Sequence, residues 1–133
     1  MTRTLRIGIA SPEDMKARAM RIARGEEKPG PSDPTVWFPS TESFARILSA
    51  TNRAMLCTIA EREPGSIEEL AEMTERAKSN LSRTMKTMID YGIVRMERSG
   101  RKLAPKLNYD CVSLELRLAE PRARVAEAEG DLP

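Results

Sequence analysis

Between Ala77 and Lys106 the chain gathers the side chains whose types and spacing could do chemistry. The stretch AKSNLSRTMKTMIDYG carries Lys78, Ser79, Asn80, Ser82, Arg83 and Lys86, and IVRMERSGRKLAPKL sets Arg98, Arg101 and Lys102 around Ser99-Gly100. The chemistry they suit is recognition rather than bond-making. An asparagine amide can pair bidentately with adenine and a guanidinium with guanine, while serine and lysine reach mostly phosphates. Residues 76–106 hold nine Lys/Arg against two acids, Asp90 and Glu97, a net charge of +7; the whole chain carries +2, which leaves −5 for the remainder. A charge asymmetry of this kind is the electrostatic footprint expected of a surface that docks on a nucleic acid.

Other chemistries find little support. The chain has no histidine, which removes the commonest general base, the Ser-His and Cys-His nucleophile pairs and every histidine metal site. No glycine-rich phosphate loop or paired-acid motif accompanies the remaining carboxylates, and Glu68-Glu69 is explained by the favourable placement of acids at a helix start. Met85 and Met88 fall at helical spacing beside Leu81 and Ile89, a core stripe rather than a set of soft metal ligands. Cys57 and Cys111 match no metal spacing and are expected to be small, buried or half-buried residues. We therefore expect a protein that is not an enzyme and needs no metal or cofactor. With one Trp, two Tyr and two Phe, stacking on single-stranded RNA is also disfavoured.

The elements that would position the basic segment are legible from periodicity. Leu5, Ile7 and Ile9 alternate as in a half-buried strand. Ser11-Pro12-Glu13-Asp14 opens a helix in which Met15, Ala19, Ile22 and Ala23 recur, with Gly25 as its stop. Residues 25–41 contain four prolines and two glycines and predict an irregular connector, with Trp37 or Phe38 packed on the helices after it. Phe44, Ile47 and Leu48 predict a short helix capped near Ser40 or Thr41. Asn52 is a candidate cap for the next, whose buried side holds Met55, Leu56, Ile59 and Ala60 and which ends at Pro64-Gly65. Ser66 and Glu69 form a capping box for a third helix. After a turn at 74–77, Leu81, Met85, Met88 and Ile89 form the packed stripe of a fourth, ending at Gly92. Val94 and Met96, then Leu103 and Leu107, predict a hairpin in which Pro105 interrupts the ladder and marks an edge or bulge. Val112, Leu114, Leu116 and Leu118 alternate as a last strand.

A helix with basic and amide groups off its apolar stripe, followed by a basic-tipped hairpin, resembles the recognition helix and wing of a winged helix-turn-helix protein. The stretch from Ser66 to Lys102 is similar to the corresponding region of MarR-type regulators, whose S-x-x-S-R-x-x-x-x-L-x-x-x-G pattern is matched by Ser79, Ser82, Arg83, Met88 and Gly92, with Met for the usual Leu. Residues 5–118 also resemble a family of small DNA-binding regulators of archaea and bacteria, matched after the wing by Tyr109-Asp110-Cys111-Val112. Members are often encoded beside a short toxin-like protein, so the resemblance implies an antitoxin role. It implies contacts to double-stranded DNA through Lys78, Ser79, Asn80, Ser82, Arg83, Lys86, Arg98, Arg101 and Lys102. MarR-type proteins flank the winged helix with long dimerisation helices, and no long C-terminal one is present here. A homodimer would need another surface, and the two terminal strands are expected to pair, within one chain or across a two-fold axis.

The expected fold class is α+β. Residues 1–25 form a strand-helix arm, 26–40 a Pro-rich connector, 41–118 the winged helix-turn-helix and 119–133 a polar, flexible tail. No apolar run approaches a membrane span and the N-terminus does not read as a secretory signal, so a reduced cytoplasmic setting is the default expectation. The function expected is a transcriptional regulator acting by operator occupancy, and the rival is a protein-interaction module or antitoxin that grips a partner protein.

Overall fold

The computed structural model describes residues 3–119. Ten elements succeed one another: β1 (Thr4–Ile9), α1 (Pro12–Ala23), β2 (Val36–Phe38), α2 (Thr41–Ile47), α3 (Ala50–Arg62), α4 (Ile67–Thr74), α5 (Lys78–Asp90), β3 (Val94–Ser99), β4 (Lys102–Leu107) and β5 (Cys111–Glu115). The class is α+β. Helices α3 to α5 and the β3–β4 hairpin form the winged helix-turn-helix, and a three-stranded sheet of order β2-β1-β5 gathers the segments on either side of it.

That sheet is parallel throughout, with Ile7 opposite Val36 on one side of β1 and Leu114 on the other. Parallel neighbours need long crossovers. α1 supplies one, and the run from α2 to the hairpin supplies the other. The two terminal strands pair within the chain, one of the two arrangements their alternation allowed. The strand pattern stops short, however. Leu116 and Leu118 lie beyond β5, and Leu118 is 93% exposed. The tail expected over 119–133 lies, apart from Ala119, outside the described residues.

The connector also holds an element that its proline and glycine content concealed. Val36-Trp37-Phe38 forms β2, because three strand-favouring residues find the free edge of β1. Trp37 packs over Gly8, where an added Cβ would come within 2.5 Å of its ring. Phe38 is fully buried, edge-on to Phe44 at 5.7 Å and stacked on Tyr91 at 4.2 Å. One ring thus joins the sheet to α2 and to the end of α5.

Helix ends obey local chemistry. Ser11, Ser40, Ser49 and Ser66 each accept a hydrogen bond from the backbone N–H three residues on. The α3 cap is Ser49 and not Asn52, whose amide instead donates to the Ile47 carbonyl and accepts from Arg76. At α4, Glu69 reaches back to the Gly65 N–H, one residue before the partner a capping box would give it. Gly92, at φ +77°, closes α5 with Gly92 N–H bonded to Ile89 and Ile93 N–H to Met88, and buried Ile93 seals the end.

The core runs continuously from Leu5, Ile7 and Phe38 through Met55, Ile59 and Leu70 to Leu81, Met85 and Met88. Two expectations about it need correction. Ile89 is 41% exposed, because at 100° per residue it falls one step past the stripe that faces α3 and α4. Ala60, expected on the buried side of its helix, is exposed near the end of α3. Pro105 marks an edge, as expected, since in a two-stranded ribbon both strands are edges, but it does not break the ladder, where it sits opposite Met96. The cysteines differ from expectation as well. Cys57 and Cys111 are free and exposed, the latter with its sulfur 3.1 Å from the Thr4 hydroxyl.

Candidate nucleic-acid interface

The site is built on α5. Leu81, Met85 and Met88 are at most 3% exposed and fix the helix against the body. The positions between them must then face outward: Lys78, Ser79, Asn80, Ser82, Arg83 and Lys86 are all exposed. The hairpin tip turns at Gly100, with φ +66°, while Arg101 keeps a negative φ, the pattern of a type II′ turn. Arg98, Arg101 and Lys102 are exposed around that turn.

The nine cations of this segment divide into two groups. Arg95 is held by the Leu107 carbonyl, Asn108 and Glu97, and Lys106 stands 4.0 Å from Glu63. Arg76 and Lys78 are also engaged. By contrast, Arg83, Lys86, Arg98, Arg101 and Lys102 have no carboxylate partner among the described residues. The unpaired charges are thus those the sequence singled out on the outer face of α5 and at the hairpin tip.

Arg76 is the residue that sequence reasoning missed, counting it only as a charge. It precedes α5, and its guanidinium donates to Asn52 at 3.0 Å, Asn80 at 2.8 Å and Thr84 at 3.4 Å, with the Met55 sulfur at 3.7 Å. It therefore ties the start of α3 to the first two turns of α5. Asn80 is oriented by this bond, so one lone pair of its amide oxygen is already committed while its NH2 group stays available. The sequence signal was weak: an arginine in a helix-turn-helix turn is ordinarily just a solvated charge.

Lys78 departs from the expected free cation. Its ammonium lies 2.6 Å from the Glu68 carboxylate of α4. The hydrogen bond from Lys78, with the backbone N–H at the α4 start and the lysine charge, holds the Glu68 carboxyl down to about 2. Because the folded-state value is depressed, the pair contributes above the ordinary carboxylate range and is lost as pH falls through 4.5 toward 2. Both groups are half exposed and screened by salt. Glu68→Gln should free Lys78 for phosphate, tightening duplex binding and raising the slope of log affinity against log salt by up to about 0.9. Titration at several salt concentrations reads this directly, and an unchanged slope would mean that Lys78 takes no part in binding.

On the other side of the helices an apolar groove of about 860 Å³ opens between α3 and β5, lined by Leu56, Cys57, Ala60, Leu107 and Val112 among others. All of β5 is exposed. Among the described residues no group of three or more His, Cys, Asp or Glu side chains could hold a metal ion, and no helix is long and apolar enough to cross a membrane.

Three helices, the last with an outward basic face, and a basic-tipped hairpin form a winged helix-turn-helix. The model of the family described as HVO_A0114 matches residues 47–114, half of the chain, from the end of α2 into β5. The chain belongs to that family. No curated protein matches it. A solved structure described as the predicted DNA-binding transcriptional regulator from E. coli is 18% identical, covers 75% of this chain and 86% of its own, and superposes with a TM-score of 0.43.

Proposed function

We propose that this protein is a sequence-specific double-stranded-DNA-binding transcriptional regulator that acts by occupying its operator, binding rather than catalysing. The observation that carries the reading is the set of five exposed cations on α5 and at the hairpin tip that have no carboxylate partner among the described residues, beside the amide of Asn80. The first half of α5 enters the major groove, with Lys78, Ser79, Asn80, Ser82, Arg83 and Lys86 toward bases and flanking phosphates. Arg98, Arg101 and Lys102 reach the adjacent backbone or minor groove. The regulator works as a homodimer in the cytoplasm, in the manner of MarR-like proteins, and if it is encoded beside a toxin-like protein, as members of the family it resembles often are, it would regulate its own operon.

Selection of bound fragments from random duplex DNA, run at two salt concentrations, tests this. Two half-sites separated by about one helical turn, 10–10.5 bp, or a multiple of it are expected. Fragments with no shared sequence, or affinity indifferent to salt, would count against it. Arg101→Ala should weaken binding to selected and random duplexes alike and lower the salt slope by about one unit. A loss confined to the selected duplex would instead place Arg101 on a base.

A second reading, a module or antitoxin that binds a toxin-like protein, is favoured by one feature. An apolar groove lies between α3 and β5, every residue of which is exposed, and apolar surface beside an exposed strand suits a protein partner. Absence of duplex binding together with complex formation that Val112→Asp abolishes would favour it.

A further inference from the structure

A second basic side chain lies beside the reading helix, on an element outside the helix-turn-helix. A cleft of about 160 Å³ between α2 and α5 is lined by Arg46 and Ile47 from α2, Asn52 from α3, and Arg83, Thr84 and Thr87 with Met88 from α5. Two arginines therefore contribute to the lining of one small cleft that has no carboxylate in it. Like charges so placed raise the local potential and favour an anion there. Arg46 is exposed and has no hydrogen bond or ion pair among the described residues.

The ordinary reason for an arginine in the last turn of a helix is to satisfy its terminal carbonyls. That reason does not hold here. The Ile47 carbonyl accepts from the Asn52 amide and the Leu48 carbonyl from Arg53 Nε, so the end of α2 is served by α3 and Arg46 is left over. Arg53 is correspondingly engaged. The Thr87 hydroxyl donates back to the Arg83 carbonyl and the Thr84 hydroxyl accepts from Arg76, so both hydroxyls in the cleft lining already have a partner.

We propose that Arg46 binds a backbone phosphate of duplex DNA at the rim of the groove that Arg83 enters, extending the footprint onto α2. The inference rests on the DNA-binding reading and adds to it a contact outside the winged-helix elements. Holding the phosphate from α2 leaves the Arg83 guanidinium free for a base edge.

Full-length wild type, Arg46→Ala, Arg46→Lys and Arg83→Ala are compared on the selected duplex and on a random duplex between about 50 and 200 mM salt, the range over which phosphate contacts register most clearly. Arg46→Ala is expected to lose affinity by the same factor on both duplexes and to flatten the salt slope by about 0.9, and Arg46→Lys to restore most of the slope. An unchanged slope for Arg46→Ala, beside clear losses for Arg83→Ala, overturns the proposal while DNA binding stands. If wild type binds neither duplex in a salt-dependent way, the DNA-binding reading falls and takes this one with it. A further arm titrates inorganic phosphate onto the protein without DNA at constant ionic strength. Saturable binding that Arg46→Ala removes, together with an unchanged salt slope for Arg46→Ala on both duplexes, would assign the cleft to a free oxyanion and overturn the duplex contact.

Discussion

Phe38→Ala is expected to cost about 3–5 kcal/mol of folding stability, as full truncation of a buried phenylalanine does. Against a total of about 5–15 kcal/mol for a domain, that is a large share, and the melting temperature should fall by about 10–20 °C. The position of the ring is the reason. It is fully buried, it meets Phe44 edge-on at an interplanar angle of 68°, and it stacks on Tyr91 at 22°. Aromatic pairs in such geometries add to the area they bury. Losing the ring therefore uncouples β2 from α2 and from the cap of α5 at once. Urea or thermal unfolding of the variant measures the effect. A loss below about 1 kcal/mol would mean that the parallel sheet and the winged helix do not share one core, contrary to the unbroken cluster from Leu5 to Val94.

Arg83→Ala is expected to weaken binding to the selected operator by about 1–3 kcal/mol, roughly 5- to 150-fold, and to relax preference at one base pair. Its side chain is exposed, has no partner among the described residues, and springs from a helix whose opposite face is immobilised by Leu81, Met85 and Met88. Such an arginine has little ordering left to lose apart from its own rotamers. Arg83→Lys keeps the charge but not the planar fork, so it should retain the salt slope while losing most of the discrimination. Equal losses on operator and random DNA for Arg83→Ala would show that it holds phosphate instead of reading a base. Paired with Arg46→Ala, the measurement separates the two contacts that border the cleft between α2 and α5.

Periodicity and capping by themselves determine much of this protein. The stripe Leu81, Met85, Met88 could be packed only one way, so the outward set from Lys78 to Lys86 came with it, and Gly92 and Gly100 marked a helix end and a hairpin turn through their freedom at positive φ. The first strand was legible for the same reason, since alternation at period two is a local property of a half-buried strand; β5 shares the alternation and pairs with β1, but every one of its residues is exposed.

Tertiary structure alone decided the rest, because those features depend on which groups meet across long stretches of sequence. Val36-Trp37-Phe38 became a strand only because β1 offers an edge and Gly8 leaves room for the Trp37 ring. Asn52 gave up capping when Ser49 took that bond and Arg76 approached from 24 residues away. Lys78 lost its freedom to Glu68 on the preceding helix, and Arg46 acquired a place beside Arg83 through the packing of α2 on α5. Charge and apolar pattern are written residue by residue, whereas whether a given cation is paired or free is settled by the side chains that folding brings within a few ångströms of it.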